Sequence, residues 1–149
     1  MKNKKLKTTE ILKWGNYLRE KWRESFANHL SFEEQKMIGM DHFLWHLCSY
    51  EKVKCLRKEE AITAFLNQSK SKFTIFYQFI NEAYLFENAN AITIKDLPYH
   101  QIHMYYGDIY VMDWECNWTF MMTHETDCGP YFYPEVIKVR QINKVLSVN

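Results

Sequence analysis

Asp108-Ile-Tyr-Val-Met-Asp113 and Trp118-Thr-Phe-Met-Met-Thr-His124 are two strand-like runs separated by Trp114, Glu115, Cys116 and Asn117. Their β-branched and aromatic residues suit a pleated sheet, and four intervening residues suit a hairpin loop. The spacing therefore predicts an antiparallel pair. A period of two sets Trp118, Phe120, Met122 and His124 on one face and Thr119, Met121, Thr123 and Glu125 on the other, one of which should be the core face. Gly129-Pro130 turns the chain just beyond, which leaves His124, Glu125 and Asp127 near the rim of the sheet.

Upstream of the hairpin, helical and strand patterns alternate. From Thr9, a good N-cap, Ile11, Trp14, Leu18, Trp22 and Phe26 recur at three or four residues and predict a long N-terminal amphipathic helix. Ser31 with Glu34 reads as a capping box opening a second helix that Gly39 stops. Phe43 to Tyr50 favours a strand, Lys58 to Gln68 a helix with Glu59 and Glu60 in its first turn, and Phe73 to Phe79 a buried strand. Asn81 is placed to cap a short helix through Ala89, and an irregular loop lies between Leu97-Pro98 and Gly107. A weaker helical spacing runs from Pro134 to Leu146. The sum is an α+β fold, mainly an antiparallel sheet with the hairpin in its C-terminal half, packed against helices.

The whole chain, residues 1–149, is long enough for one domain and short for two, and no linker or repeat divides it. Nineteen Lys and Arg stand against eighteen Asp and Glu, so no global field draws in nucleic acid or an anionic membrane. The one basic cluster, Lys2, Lys4, Lys5 and Lys7, reads as a disordered tail over residues 1–7. No apolar run is long enough to span a bilayer and no signal-peptide core follows the tail, so the expectation is a cytoplasmic protein. Cys48, Cys55, Cys116 and Cys128 match no zinc or redox spacing and are expected to be reduced thiols without a disulfide.

Motifs that carry chemistry are thin. His124-Glu125-Thr126-Asp127-Cys128 resembles a zinc-hydrolase motif only superficially, because that motif needs a helix and a strand precedes it here. His42 with His46 and His100 with His103 lack a third ligand. Asp108, Asp113, Glu125 and Asp127 read as solvated turn carboxylates before they read as a cation site. Phosphate loops, the nucleophile elbow and the deaminase motif are absent, so no cofactor and no metal are expected. Aromatic residues make up 17% of the chain, more than a chain of this length usually holds, so either the core is aromatic or some rings face partners; Trp114, Trp118 and Tyr131 near the rim are the candidate anchors for a protein partner.

The hairpin together with Thr123-His124-Glu125 and Gly129-Pro130-Tyr131-Phe132 resembles the bacterial domain of unknown function family 4275. Phe43-Leu-Trp-His-Leu-Cys-Ser-Tyr50, Glu60-Ala-Ile-Thr-Ala-Phe65 and Phe76-Tyr-Gln78 extend the likeness over roughly residues 43 to 132. The resemblance implies a cytoplasmic single-domain protein without an assigned reaction. Through relatives similar to immunity-type proteins encoded beside bacterial toxins, it also implies a binding role.

Two functions follow as expectations. The preferred one is a small protein-binding module, of the kind that neutralises a toxin, with its interface around Trp114, Trp118, His124, Glu125 and Tyr131. The alternative is a small hydrolase-like enzyme at the hairpin exit, with His124 as acid or base, Glu125 orienting it and Cys128 or water as nucleophile. That alternative requires a concave pocket beside His124.

Overall fold

The structure is a computed structural model, and it describes residues 5–125 and 127–135. In chain order the elements are β1 (Lys7–Glu10), α1 (Gly15–Phe26), α2 (Phe32–Met37), α3 (His46–Ser49), β2 (Leu56–Arg57) and α4 (Glu59–Asn67). They continue with β3 (Lys72–Tyr77), β4 (Ala83–Glu87), a 3-10 turn at Ile94–Asp96, β5 (Ile109–Asp113), β6 (Thr119–Met122) and β7 (Tyr131–Tyr133). Among the described residues the strands form one seven-stranded sheet ordered β1-β4-β3-β5-β6-β7-β2. Every neighbouring pair is antiparallel. The α+β fold expected from the sequence is the fold observed.

The hairpin forms as its spacing predicts, with Ile109 opposite Met122 and Met112 opposite Thr119. The expectation of a single core face is corrected, because both faces are buried. Leu18, Trp22 and Phe26 of α1, with Trp45 and Leu47, pack on Phe76, Tyr110, Met112 and Met121. Ala61 and Phe65 of α4, with Ile92 and Leu97, pack on the opposite face against Phe73, Ile75, Val111, Trp118 and Phe120. The sheet is thus a middle layer. A buried strand of this kind reads as a continuous apolar run, which is why β5 and β6 show so few polar positions. Burying the three large α1 side chains contributes about 1.5–3 kcal/mol each, which outweighs the helix's otherwise polar composition.

The N-terminus differs from its sequence reading. Thr8 and Thr9 lie in β1, paired with Phe86 and Leu85, and the helix begins at Gly15 and runs 12 residues. The β-branched pair finds ladder partners in β4, which a helix start at Thr9 would forfeit. Gly15 is required where α1 meets the β3–β4 turn, since a Cβ there would lie 2.5 Å from the Ile80 carbonyl oxygen. Arg19 fastens the same contact by donating to the carbonyls of Tyr77 at 2.7 Å and Ile80 at 2.8 Å. Lys7 belongs to β1, within 4.0 Å of Glu87, so the tail reading does not extend through residue 7; residues 1–4 lie outside the described residues.

Three other segments test the sequence reading. The Ser31–Glu34 capping box is present in both directions at 3.1 Å, and Gly39, at φ 76°, follows α2. Phe43 to Tyr50, expected as a strand, is a turn leading into α3, because side chains take its amides: Gln78 Oε1 accepts from Leu44 N–H and the Tyr110 hydroxyl from Trp45 N–H. Ala83 to Glu87, expected as helix, is a strand bonded on both sides by β1 and β3. The helix read over Pro134 to Leu146 lies outside the described residues beyond Glu135.

The cysteine expectation is also corrected. Cys48 and Cys55 form a disulfide, their Cα atoms 5.8 Å apart. The chain reverses after α3 through Glu51, at φ 56°, and returns Cys55 to the end of that helix. Cys116 and Cys128 are free.

Candidate functional site

Because β5 and β6 run antiparallel, the residue before β5 and the residues after β6 meet at one end of the hairpin. Asp108 and His124 are that pair. Asp108 is buried, and its Oδ1 accepts from Trp45 Nε1–H at 2.8 Å and from the His124 backbone N–H at 3.1 Å. His124 Nδ1 lies 2.9 Å from Oδ1 and 3.0 Å from Oδ2. Indole and amide N–H groups only donate, so Asp108 stands as an acceptor to both, and the hydrogen in the third contact belongs to Nδ1. Nε2 is left as the imidazole atom that points away from Asp108. The ring is held laterally by Phe43 and Trp45, at centroid distances of 5.0 and 6.1 Å.

Those two aromatic neighbours belong to the α1 side of the sheet. The strand ends at Met122, and the bend beyond it turns His124 off the Trp118–Phe120 face on which strict alternation would set it. Glu125 is exposed, with Oε1 3.5 Å from Nε2. It therefore sits on the working side of the ring, and Asp108, not Glu125, orients the imidazole.

The site opens into a cleft of about 730 Å³. Phe43, Phe79, Ile102 and Met104 make its walls apolar, while Gln101, His103, Asp108 and His124 supply the polar groups. The loop carrying residues 101–104 is tethered on either side: the Tyr99 hydroxyl donates to Thr123 O at 2.6 Å, and His100 N–H to Tyr106 O at 3.1 Å. Gly107 lets that loop lie against the site, because a Cβ there would come within 2.7 Å of Gln101 O and 3.1 Å of His124 Cβ.

The other sequence candidates are dispersed. Cys128 lies beside a separate hollow of about 250 Å³ that it shares with Tyr99 and Glu125, and its Sγ donates to Glu125 Oε2 at 3.4 Å. Burial and then the Glu125 carboxylate push its thiol upward, which opposes the thiolate that a nucleophile requires. Trp118 and Tyr131 are core residues, so neither ring is presented at the surface. Trp114 is exposed beneath the Lys72 ammonium, 3.9 Å from the ring centroid, but it sits at the loop end of the hairpin. About 15 Å of strand separates that end from Glu125. The carboxylates divide likewise, Asp113 closing β5 at the end opposite Asp108. Among the described residues no group of three or more His, Cys, Asp or Glu is placed to hold a metal ion.

Sequence reasoning missed Asp108 as the partner of His124, and with it Trp45, Ile102 and Met104. The signal for Asp108 was present: once Asp108–Asp113 and Trp118–His124 are paired across a short loop, residue 108 must lie beside residues 123 and 124.

A seven-stranded antiparallel sheet between two helical layers, with a carboxylate-held imidazole at an apolar cleft, defines the class: an α+β protein with one cleft-side polar pair. The chain belongs to the family described as Domain of unknown function (DUF4275), whose model matches residues 1–132. That span reaches from the N-terminus, beyond the stretch that the sequence motifs covered, and it includes Trp45, the 101–104 loop, Asp108 and His124. No curated protein and no solved structure matches the chain. No helix among the described residues is long and apolar enough to cross a membrane.

Proposed function

We propose that this protein is a protein-binding module, of the type that neutralises a toxin by covering it, and that its recognition surface is the cleft rim. The observation that supports this reading is the exposure of apolar side chains around one concavity. Ile102 is 100% exposed, Met104 74% and Phe79 48%. Scattered apolar residues are ordinary on a protein surface, but a group of them beside a cleft marks a site of contact. The loop that bears Ile102 and Met104 is closed on itself by His100 N–H donating to Tyr106 O, and the Tyr99 and Tyr106 hydroxyls tie it to Thr123 O and Glu82 Oε1, so these side chains are displayed on a fixed support. The partner that fits is one that inserts an apolar side chain between them and lays a polar rim over Gln101 and Glu125. Cytoplasmic residence is part of the same reading.

The test is purification of the tagged protein from cells of its source, followed by the paired substitution Ile102→Asp and Met104→Asp. A stoichiometric protein partner is expected, with affinity at least tenfold weaker in the variant, since hot-spot side chains carry more than about 1 kcal/mol each. Recovery of no partner, or of one held equally by the variant, overturns the reading.

A further inference from the structure

We propose that the same cleft carries an acid–base activity: hydrolysis of uncharged carboxylic esters with a short apolar acyl group. His124 is the base, Asp108 its positioning residue, and His103 the donor to the carbonyl oxygen.

The argument starts from two imidazoles held in opposite tautomers. Asp108 takes the hydrogen of His124 Nδ1 at 2.9 Å, so in the neutral ring the lone pair falls on Nε2, the atom that the exposed Glu125 Oε1 faces at 3.5 Å. His103 is fixed the other way, because the Tyr105 backbone N–H donates to its Nδ1 at 3.2 Å, so the neutral ring carries its hydrogen on Nε2. Both rings line the one cleft. It therefore offers a proton acceptor and a proton donor, the pair that addition of water to a carbonyl needs.

Charge and wall chemistry set the substrate class. Asp108 and Glu125 flank the His124 ring, and this local negative charge disfavours an anionic substrate such as a phosphate ester. Phe43, Phe79, Ile102 and Met104 suit an apolar acyl chain. An ester is preferred to an amide because its alcohol departs with less protonation.

In the step itself, a water molecule takes the place of the exposed Glu125 carboxylate at Nε2. Nε2 accepts one proton as the water oxygen bonds to the carbonyl carbon, and His103 Nε2–H donates to the carbonyl oxygen. The tetrahedral adduct then breaks its bond to the alcohol oxygen, and the imidazolium returns the proton to that oxygen. One water is consumed, and one acid and one alcohol are released. Cys128 takes no part.

The test uses the full chain with p-nitrophenyl butyrate and p-nitrophenyl phosphate. Saturable release of nitrophenol from the butyrate is expected, with little or none from the phosphate. His124→Gln is expected to lower kcat by 100-fold or more with KM changed less than about threefold, and His103→Phe to lower kcat about tenfold. Cys128→Ser is expected to leave both unchanged. Asp108→Asn is expected to lower kcat with little change in KM and to displace or remove the Nδ1–H proton resonance of His124. If that variant fails to fold, His124→Gln still decides. Absence of saturable butyrate turnover, equal turnover in His124→Gln, or phosphate turnover matching that of butyrate overturns the proposal. Because partner binding is read on Ile102 and Met104, failure here leaves that reading standing, and the reverse holds as well.

Discussion

Trp45 Nε1–H donates at 2.8 Å to the same Asp108 oxygen that faces His124 Nδ1, across a sequence separation of 63 residues. The segment leading into α3 therefore steadies a carboxylate that the hairpin itself supplies. Trp45→Phe keeps an aromatic ring against Phe43 and His124 and removes only the donor. Loss of one buried bond to a carboxylate is expected to cost about 1.5–3 kcal/mol. In a protein of this size that lowers Tm by roughly 3–12 °C. Thermal denaturation followed by circular dichroism measures it, and an unchanged Tm would show that Asp108 needs no support from Trp45.

Gly107 is where the cleft loop touches the site. Gly107→Ala adds a Cβ that would lie 2.7 Å from Gln101 O and 2.9 Å from His103 O, both backbone atoms that move only with the loop. The expected outcome is destabilisation of about 1–3 kcal/mol, the usual cost of overpacking. It should be accompanied by displacement of the His103 and His124 resonances in the nuclear magnetic resonance spectrum. Resonances left in place would mean that the loop does not rest on His124.

How far these features were legible in the sequence depended on whether local pattern or distant partners decided them. The Ser31–Glu34 cap, the α4 stripe of Ala61 and Phe65, and the β5–β6 hairpin were readable because the information lies within a few residues. Thr9, Phe43 to Tyr50 and Ala83 to Glu87 were misread because distant partners settle them. β4 claims Thr9, the side chains of Gln78 and Tyr110 claim the amides of Leu44 and Trp45, and β1 with β3 claims Ala83 to Glu87. Tertiary pairing overrides propensity in each case. At the site, His124 and Glu125 were readable as rim residues, whereas the cleft walls were not. Ile102 and Met104 sit in a stretch without period, and only the fold of residues 97–107 brings them to His124. The grouping of Trp114 with Glu125 failed on the hairpin's own logic, since one sits at its loop and the other at its open end.

The tyrosines predict an alkaline limit to stability. Burial, first among its causes, pushes Tyr131 up to about 12, and it raises Tyr77, Tyr84 and the fully buried Tyr110 as well. An ordinary phenol ionises near about 10. Above that pH the unfolded chain releases protons that the folded chain retains, so unfolding becomes more favourable as pH rises. The stabilising contribution is fully present below about 10 and is lost as pH climbs through the folded values. Denaturant unfolding across that window should show a midpoint that is flat below it and falls above it. The phenolate absorbance of these residues should appear together with loss of the circular dichroism signal. Phenolate appearing first, with the fold intact, would contradict their burial.

The disulfide yields the prediction that bears on where the protein works. Cys48 and Cys55 are bonded and Cys116 and Cys128 are free, so the native chain should expose two titratable thiols and the reduced, unfolded chain all four cysteines. By the loop-closure argument, a bridge across so short a segment restricts the unfolded chain by about 2–3 kcal/mol. Reduction without unfolding should lower Tm by a corresponding amount. The expectation of four reduced cysteines followed from the lack of a secretory signal, and the Cys48–Cys55 bond overturns it; a reducing cytosol disfavours a stable disulfide, so the bond bears on the compartment. Alkylation of free thiols in intact source cells before lysis decides between the alternatives. Two blocked cysteines are the expected result and show that the bond persists in the cell. Four blocked cysteines would show that the pair is a dithiol in the cell, and that α3 and β2 hold their places through packing and the Arg57 guanidinium, which donates to Cys48 O at 2.9 Å.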